Sequence, residues 1–270
     1  MAKMDLGNGR VTPIVLKLAL PAMLAQFINV LYSIIDRLYI SSLKDIGGLA
    51  LAGIGIVAPI CTLITSFSYL IGLGGAPLMA MSLGEGNKEN AKKILSNSFL
   101  ALLILAFIVP LLVLCCYEPL LYAFGASVNT YIYAKQYLLF YLIGAPFALM
   151  AMGLNQFIIS QGFSNKGMAT MLIGAVVNII LDPIFIYGCN MGVVGAALAT
   201  SISQILSFIY VFYILLSRHT GVKITFGGYK ASILFKISRL GLSPFLISMT
   251  DSLISVSYTH LRAHETSLHL

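Results

Sequence analysis

The sequence predicts an all-α, polytopic membrane protein, with a six-helix transmembrane lobe followed by the first helix of a second, truncated lobe. Of its 270 residues, 59% are hydrophobic and only 9% are charged, whereas soluble domains carry about 25% charged residues. Long apolar segments alternate with short connections that contain Gly, Asn or Pro. Each segment exceeds the roughly 20 residues that a helix needs to cross a bilayer.

The first apolar segment begins at Pro13 and has no short core ending in a small-residue cleavage site, so we expect this helix to be retained. Residues 120–128 predict a short interfacial helix. Pro146 predicts a kink in the fourth segment, or its division into two helices. The predicted segments are 13–40, 48–83, 92–117, 128–161, 165–187 and 191–217, with a seventh over 231–257.

Charge decides between these topologies. With the fourth segment unbroken, most basic residues fall on one side of the membrane, and the positive-inside rule assigns that side and the amino terminus to the cytoplasm. We therefore predict a multi-pass protein of the cell (inner) membrane, and no nucleic-acid partner despite the net charge of +7. The predicted inner residues are Lys3, Arg10, Lys17, Lys88, Lys92, Lys93, Lys166, Arg218, Lys223, Lys230, Lys236 and Arg239, and the predicted outer ones are Arg37, Lys44 and Lys135.

The start of the seventh segment repeats the start of the first. Arg239-Leu-Gly-Leu-Ser-Pro244-Phe-Leu echoes Lys17-Leu-Ala-Leu-Pro21-Ala-Met-Leu, and two related lobes are a common plan among transporters. We predict an amino-terminal lobe over 1–218, an inter-lobe linker over 219–230, a first helix of the second lobe over 231–257 and a non-native tail over 258–270. The tail changes composition abruptly and is assigned no function.

The most informative polar group lies in the fifth segment. Asn178 and Asp182 are one helical turn apart and therefore share a face. Pro183 leaves the carbonyl group of Ile179 without its helical donor if the helix continues. A carboxylate inside a membrane helix costs about 2.5–3.5 kcal/mol, so it normally faces a cavity or a partner. The alternative is an interfacial position for Asp182, close to the loop that follows.

Polar residues also form lines on three other segments. Gln26, Asn29, Ser33 and Asp36 follow one face of the first segment, which places that face inside the bundle. Tyrosines recur every fourth residue in the fourth segment, where the alternative is an interfacial aromatic belt. The alternative for the hydroxyl groups of the sixth segment is ordinary interhelical hydrogen bonding. These two lines are Tyr133, Tyr137 and Tyr141, and Thr200, Ser203, Gln204 and Ser207.

The predicted topology brings Asp36, Asp182, Tyr137 and Thr200 to a similar depth. Two carboxylates in a partly dry cavity repel, so the pair should readily take up a proton or a hard cation. Asp, Asn and Thr oxygens suit such a cation by the logic of calcium and magnesium sites. The alternative is that Arg37 pairs with Asp36 in a structural ion pair.

Several ordered blocks resemble one known family. The blocks are Pro21-Ala-Met-Leu-Ala-Gln26 with Asp36, Gly84-Glu-Gly86-Asn-Lys88, Leu154-Asn155-Gln156 through Gln161-Gly162, Asn178-Ile-Ile-Leu-Asp182-Pro-Ile-Phe-Ile, and Gly192-Val-Val-Gly-Ala-Ala-Leu-Ala-Thr200. Together, over residues 10–257, they are similar to the multidrug and toxic compound extrusion (MATE) family. Arg37 departs from the family pattern, in which many relatives carry a small polar residue there.

The resemblance implies a two-lobe, twelve-helix antiporter, monomeric at full length, that exports organic and often cationic compounds by alternating access, coupled to H⁺ or Na⁺. The missing second lobe of the same chain, the lipid bilayer and small organic substrates are the implied partners, and no cofactor is implied. The coupling-ion site would comprise Asp36, Asn178, Asp182, Thr200 and Tyr137, with Na⁺ at the first four. The substrate cavity would include Gln26, Asn29, Asn155, Tyr141 and Gln204.

Three other functions are alternatives to an antiporter. A lipid-linked oligosaccharide flippase of related two-lobe fold should line its cavity with Arg or Lys for pyrophosphate, and the apolar segments contain almost none beyond Lys135. A membrane enzyme is not predicted, because no His-Glu-x-x-His, Ser-x-x-Lys or intramembrane histidine base occurs. A passive channel is separated from a carrier only by a test of uphill accumulation.

Overall fold

The computed structural model describes residues 11–44, 46–217 and 220–268. Within them, seven helices are long and apolar enough to cross a membrane, which confirms the predicted all-α, polytopic class. Lys3, Arg10 and Arg218 lie outside the described residues. The helices are α1 (Val11–Ser41), α2 (Gly47–Gly84), α3 (Lys88–Cys115), α4 (Tyr117–Ala123), α5 (Val128–Ser160), α6 (Ser164–Pro183), α7 (Gly192–Leu216) and α8 (Ala231–Leu268).

The helical bundle has two ends, the predicted outer end and the predicted inner end. The predicted outer end carries the connections at 42–46, 124–127 and 189–191, and the predicted inner end carries those at 85–87, 161–163 and 217–230. Successive long helices connect opposite ends, so polar residues near the end of α1 and the start of α7 come to the same level.

Helix α5 is continuous, which answers the question raised by Pro146. Its start is fixed by a capping box, in which Thr130 N donates to Ser127 Oγ and Ser127 N donates to Thr130 Oγ1. Near Pro146 the helix lies against α7: a Cβ atom added at Gly144 would lie 2.5 Å from Ser201 Cα. The fourth segment therefore crosses the bundle as one helix.

The short helix after α3 lies earlier than predicted. The sequence placed it at 120–128, whereas α4 spans Tyr117–Ala123. Pro119 is compatible with this position because the first turn of a helix does not need its N–H group. Gly125 then adopts a φ of +98°, which favours glycine and redirects the chain into α5.

Pro183 changes the helix type rather than ending the helix. The chain continues from α6 into a π-helical segment at Ile184–Gly188, in which Cys189 N donates to Ile184 O at 2.8 Å. Such wide turns are rare and often lie at functional sites. Asn190, with a φ of +52°, then leads into α7.

Glycines allow the central helices to pack closely. A Cβ atom added at Gly72 of α2 would lie 2.8 Å from Gly153 O of α5, and one added at Gly74 would lie 2.8 Å from Gly241 N of α8. By contrast, α1 packs mainly on α6, with small contacts to α2 and α7. Much of its apolar surface is exposed, with Phe27 at 66% and Leu38 at 61%. Helix α1 is thus the least embedded of the first six spans that the structure describes.

The connection between α7 and α8 is held against the predicted inner end. Val222 and Ile224 are buried, and Val222 N donates to Gln161 Oε1 at 2.7 Å. Lys230 N donates to Asn97 Oδ1 at 2.8 Å. Helix α8 continues past residue 257 without a break, so the predicted boundaries of linker, second-lobe helix and tail still rest on composition alone.

Candidate functional site

A cavity of about 530 Å³ lies among α1, α2, α5, α6 and α7. All residues predicted for the substrate cavity line it, and three of the predicted coupling residues share its wall. Asn178 and Asp182 lie behind that wall and are 1% and 0% exposed. The predicted residues on the wall are Gln26, Asn29, Tyr141, Asn155 and Gln204 from the first group, and Asp36, Tyr137 and Thr200 from the second.

The carboxyl groups of Asp36 and Asp182 face each other within hydrogen-bonding reach. Both side chains are buried, Asp36 with 8% exposure. Asp36 Oδ1 and Asp182 Oδ2 have no hydrogen-bond donor among the described residues. A proton shared between the two carboxylates, or a cation bound between them, would satisfy these facing acceptors.

Asn178 connects this acidic pair to α7. Its Nδ2 atom donates to Asp182 Oδ1 at 3.2 Å and to Thr200 Oγ1 at 3.3 Å. Both amide hydrogens are therefore used, whereas Asn178 Oδ1 is buried without a donor. Its oxygen, together with the free oxygens of Asp36 and Asp182, gives the site the ligand type of a hard monovalent or divalent cation.

The tyrosines of α5 turn inward rather than toward lipid. Tyr137 and Tyr141 are 7% and 5% exposed, and their rings stack with centroids 6.3 Å apart. The hydroxyl group of Tyr137 lies against Thr200. An interfacial aromatic belt is therefore excluded for these two residues, while Tyr133 is half-buried.

Two structural alternatives fail on geometry. Full burial of Asp182 contradicts an interfacial position at the lipid headgroups. The side chain of Arg37 is exposed, and no salt bridge joins it to Asp36 within the described part of the chain. Arg37 lines the cavity instead, so it contributes positive charge there without occupying the oxygen atoms of Asp36.

Toward the predicted inner end, the polar groups satisfy one another. Thr170 Oγ1 donates to Asn155 Oδ1 at 3.3 Å, and Asn155 Nδ2 donates to Gly167 O at 3.2 Å. Ser207 Oγ donates to Thr170 O at 3.2 Å. Asn155 lines the cavity and mainly connects α5 to α6. Ser207 of α7 makes the interhelical hydrogen bond that was given above as the alternative role of the α7 hydroxyl groups.

Helix α2 also contributes to the cavity, which was not predicted from the sequence. Cys61, Thr65 and Tyr69 line it at steps of four residues, the same signal that identified the stripe on the first helix. Tyr32 also lines it, between Asn29 and Asp36. Tyr32 lies one residue away from Ser33 on the predicted polar line, and the α2 residues are separated by apolar ones.

A bundle of membrane-crossing helices around a polar cavity, with a buried acidic pair behind its wall, is the architecture of a membrane transporter. The MatE family model matches residues 21–184. The chain belongs to the MatE family.

Relatives and solved structures agree with this assignment. The chain is 30% identical over 233 residues to the multidrug export protein MepA of Staphylococcus saprophyticus, covering 86% of this chain and 51% of that protein. It is 29% identical, with the same coverage, to MepA of Staphylococcus aureus. A multidrug resistance MATE family transporter in an outward-facing conformation superposes with a TM-score of 0.85 at 29% identity, covering 93% of this chain and 57% of that one. The chain spans about half the length of the curated relatives it matches.

Proposed function

We propose that the protein containing this chain exports small organic, often cationic compounds by antiport against H⁺ or Na⁺. One observation carries the proposal: Asp36, Asp182 and Asn178 are neighbours, and each has a buried oxygen atom to which no described residue donates. Uncompensated carboxylates are costly in a membrane interior, so a site that keeps them is expected to have a cationic occupant for part of its cycle. The multidrug export activity in the names of the relatives supports the same class of cargo.

The organic substrate and the coupling cation would compete for Asp36. Its side chain lines the cavity, where an organic cation would bind, whereas Asp182 lies behind the wall and is reached only by a small ion. Gln204 Oε1, a buried wall atom to which no described residue donates, offers an acceptor for an N–H group of the substrate. Binding of H⁺ or Na⁺ between the carboxylates would draw α1 toward α6, shrink the cavity and favour release of the substrate.

The charge asymmetry supports a cell-membrane protein with a cytoplasmic amino terminus, and the family resemblance implies a monomer at full length. An oligosaccharide flippase is disfavoured because Arg37 is the only basic side chain among the described cavity-lining residues, and a pyrophosphate cargo calls for several.

The test is gradient-driven export from membrane vesicles by the gene product that contains this chain. Asp182→Asn should abolish export driven by the H⁺ or Na⁺ gradient while the protein still folds and inserts. Asp251→Asn is the matched control, since Asp251 is an exposed carboxylate on α8, and this variant should export normally. Undiminished gradient-driven export by Asp182→Asn would remove the acidic pair from the mechanism.

A further inference from the structure

The predicted outer ends of α1 and the π-helical segment are tied together by one tyrosine. Tyr187 OH donates to Tyr39 O at 2.8 Å and also forms a short hydrogen bond with Ser42 Oγ. The rings of Tyr187 and Tyr39 meet edge to face, with centroids 6.2 Å apart. We call Tyr39, Ser42 and Tyr187 the tyrosine latch.

The end of α1 is built to accept this bond. In a regular helix Leu43 N would donate to Tyr39 O, but here it donates to Ile40 O at 3.2 Å. The carbonyl group of Tyr39 is thereby released from the backbone ladder, and Tyr187 OH donates to it. The single hydroxyl hydrogen of Ser42 can be directed either to Tyr39 O or to the oxygen of Tyr187. The direction of the Tyr187 side chain also depends on irregular backbone. Each residue of a π-helical turn rotates less around the helix axis than a residue of an α-helical turn. Tyr187 is thus turned back toward α1.

The latch matters because so little else holds α1. Besides the contact between Asp36 and Asp182, the bond from Tyr187 OH to Tyr39 O joins α1 to the segment that follows α6. Much of the apolar surface of α1 is exposed, and its packing falls mainly on α6. Tyr187 is itself 40% exposed, so water competes for its hydroxyl group and the latch can open at modest cost.

We infer that Tyr187 is a positioning residue for the cation site: its latch to Tyr39 and Ser42 holds the carboxyl group of Asp36 against that of Asp182. Asp36 precedes Tyr39 by three residues, about 4.5 Å of helical rise, and Asp182 shortly precedes Tyr187 on the same continuous chain. Opening the latch lets the two carboxylates separate, which weakens cation binding without altering any ligand. This inference rests on the proposed function of the acidic pair.

The experiment compares Tyr187→Phe with the unaltered gene product in proteoliposomes, at graded H⁺ and Na⁺ concentrations. Phe keeps the ring and removes only the hydroxyl group. The concentration of coupling cation at half-maximal export should rise roughly two- to ten-fold, the effect of one net hydrogen bond, with an unchanged maximal rate. Tyr229→Phe, at an exposed tyrosine of the 217–230 connection, is the matched control and should change nothing.

Two further arms separate the latch from the proposed function. Amide hydrogen exchange in the last turn of α1 should be faster in Tyr187→Phe, and adding Ser42→Ala should have little further effect if the three residues act as one unit. Suppose that Asp182→Asn is inactive but Tyr187→Phe leaves the cation requirement or the amide exchange unchanged. The role of the latch is then refuted, and the proposed function stands. Full cation-driven export by Asp182→Asn overturns the proposed function, and the latch with it.

Discussion

Replacement of Asn178 by Leu distinguishes the two coupling ions, because the two amide atoms act in opposite directions. Asn178 Nδ2 donates to Asp182 Oδ1 at 3.2 Å, which stabilises the negative charge and opposes proton uptake. Asn178 Oδ1 is buried without a donor and would be a ligand for Na⁺. Leu has the same number and branching of side-chain heavy atoms but supplies neither polar atom, and the substitution keeps both carboxylates.

The expected magnitude follows from this geometry. A hydrogen bond to a charged group contributes about 1.5–3 kcal/mol. The 3.2 Å distance between Asn178 Nδ2 and Asp182 Oδ1 is long for such a bond, so we take the lower end. About 1.4 kcal/mol corresponds to a ten-fold change in an equilibrium constant. If H⁺ is the coupling ion, Asn178→Leu should need roughly ten-fold less H⁺ for half-maximal export; if Na⁺ is, it should need at least roughly ten-fold more Na⁺.

The assay is efflux of a fluorescent organic cation from proteoliposomes, with the H⁺ and Na⁺ concentrations varied independently. Asn129→Leu is the matched control, since Asn129 is exposed at the start of α5, and it should leave both requirements unchanged. An Asn178→Leu protein that needs the same concentration of each cation would refute the assignment of Asn178 to the site.

Two predictions concern the scaffold. Gly144→Ala would place a Cβ atom 2.5 Å from Ser201 Cα and should destabilise the protein by about 1–3 kcal/mol, seen as a lower melting temperature in detergent. Gly55→Ala, where nothing lies within 4 Å, should not. Asn97→Ala removes the acceptor of Lys230 N and a donor to Gly228 O, so limited proteolysis should cut residues 220–230 faster than in the exposed-site control Asn165→Ala. Equal cutting of the two would contradict the docking of this connection.

Most of the fold could be predicted because membrane helices are specified by length and apolarity. The predicted segments differ from the observed helices by a few residues, as at α3, where Asn87 caps the helix by accepting from Asn90 N and the helix starts before the apolar run. The position of α4 could not be predicted, because a proline is compatible with either a loop or a first helical turn.

The grouping of polar residues around one cavity also followed from spacing and topology, since residues at one depth on inward faces must meet. The ion-coupling and substrate roles of those residues remain predictions. The sequence could not indicate which hydrogen bonds are made. Asn155 is satisfied by Thr170 and Gly167, whereas Asn178 Oδ1 has no donor among the described residues. This difference depends on side-chain rotamers and helix separation, which the periodicity of a sequence does not encode.

The contrast between satisfied and unsatisfied polar groups supports the assignment of the acidic pair as the controlling element. Ser68, Ser98, Ser164 and Gln204 also carry buried oxygen atoms without a partner, but these groups are neutral, and burying them costs far less than burying a carboxylate. Among the described residues, the carboxylates with an unsatisfied buried oxygen lie at the contact between α1 and α6, and α1 is the least embedded of the first six spans. Under the proposed function, a cation bound there would change the energy of a contact made by this weakly embedded helix, whereas the same ion in the tightly packed α2–α5 contact would have little motion to control.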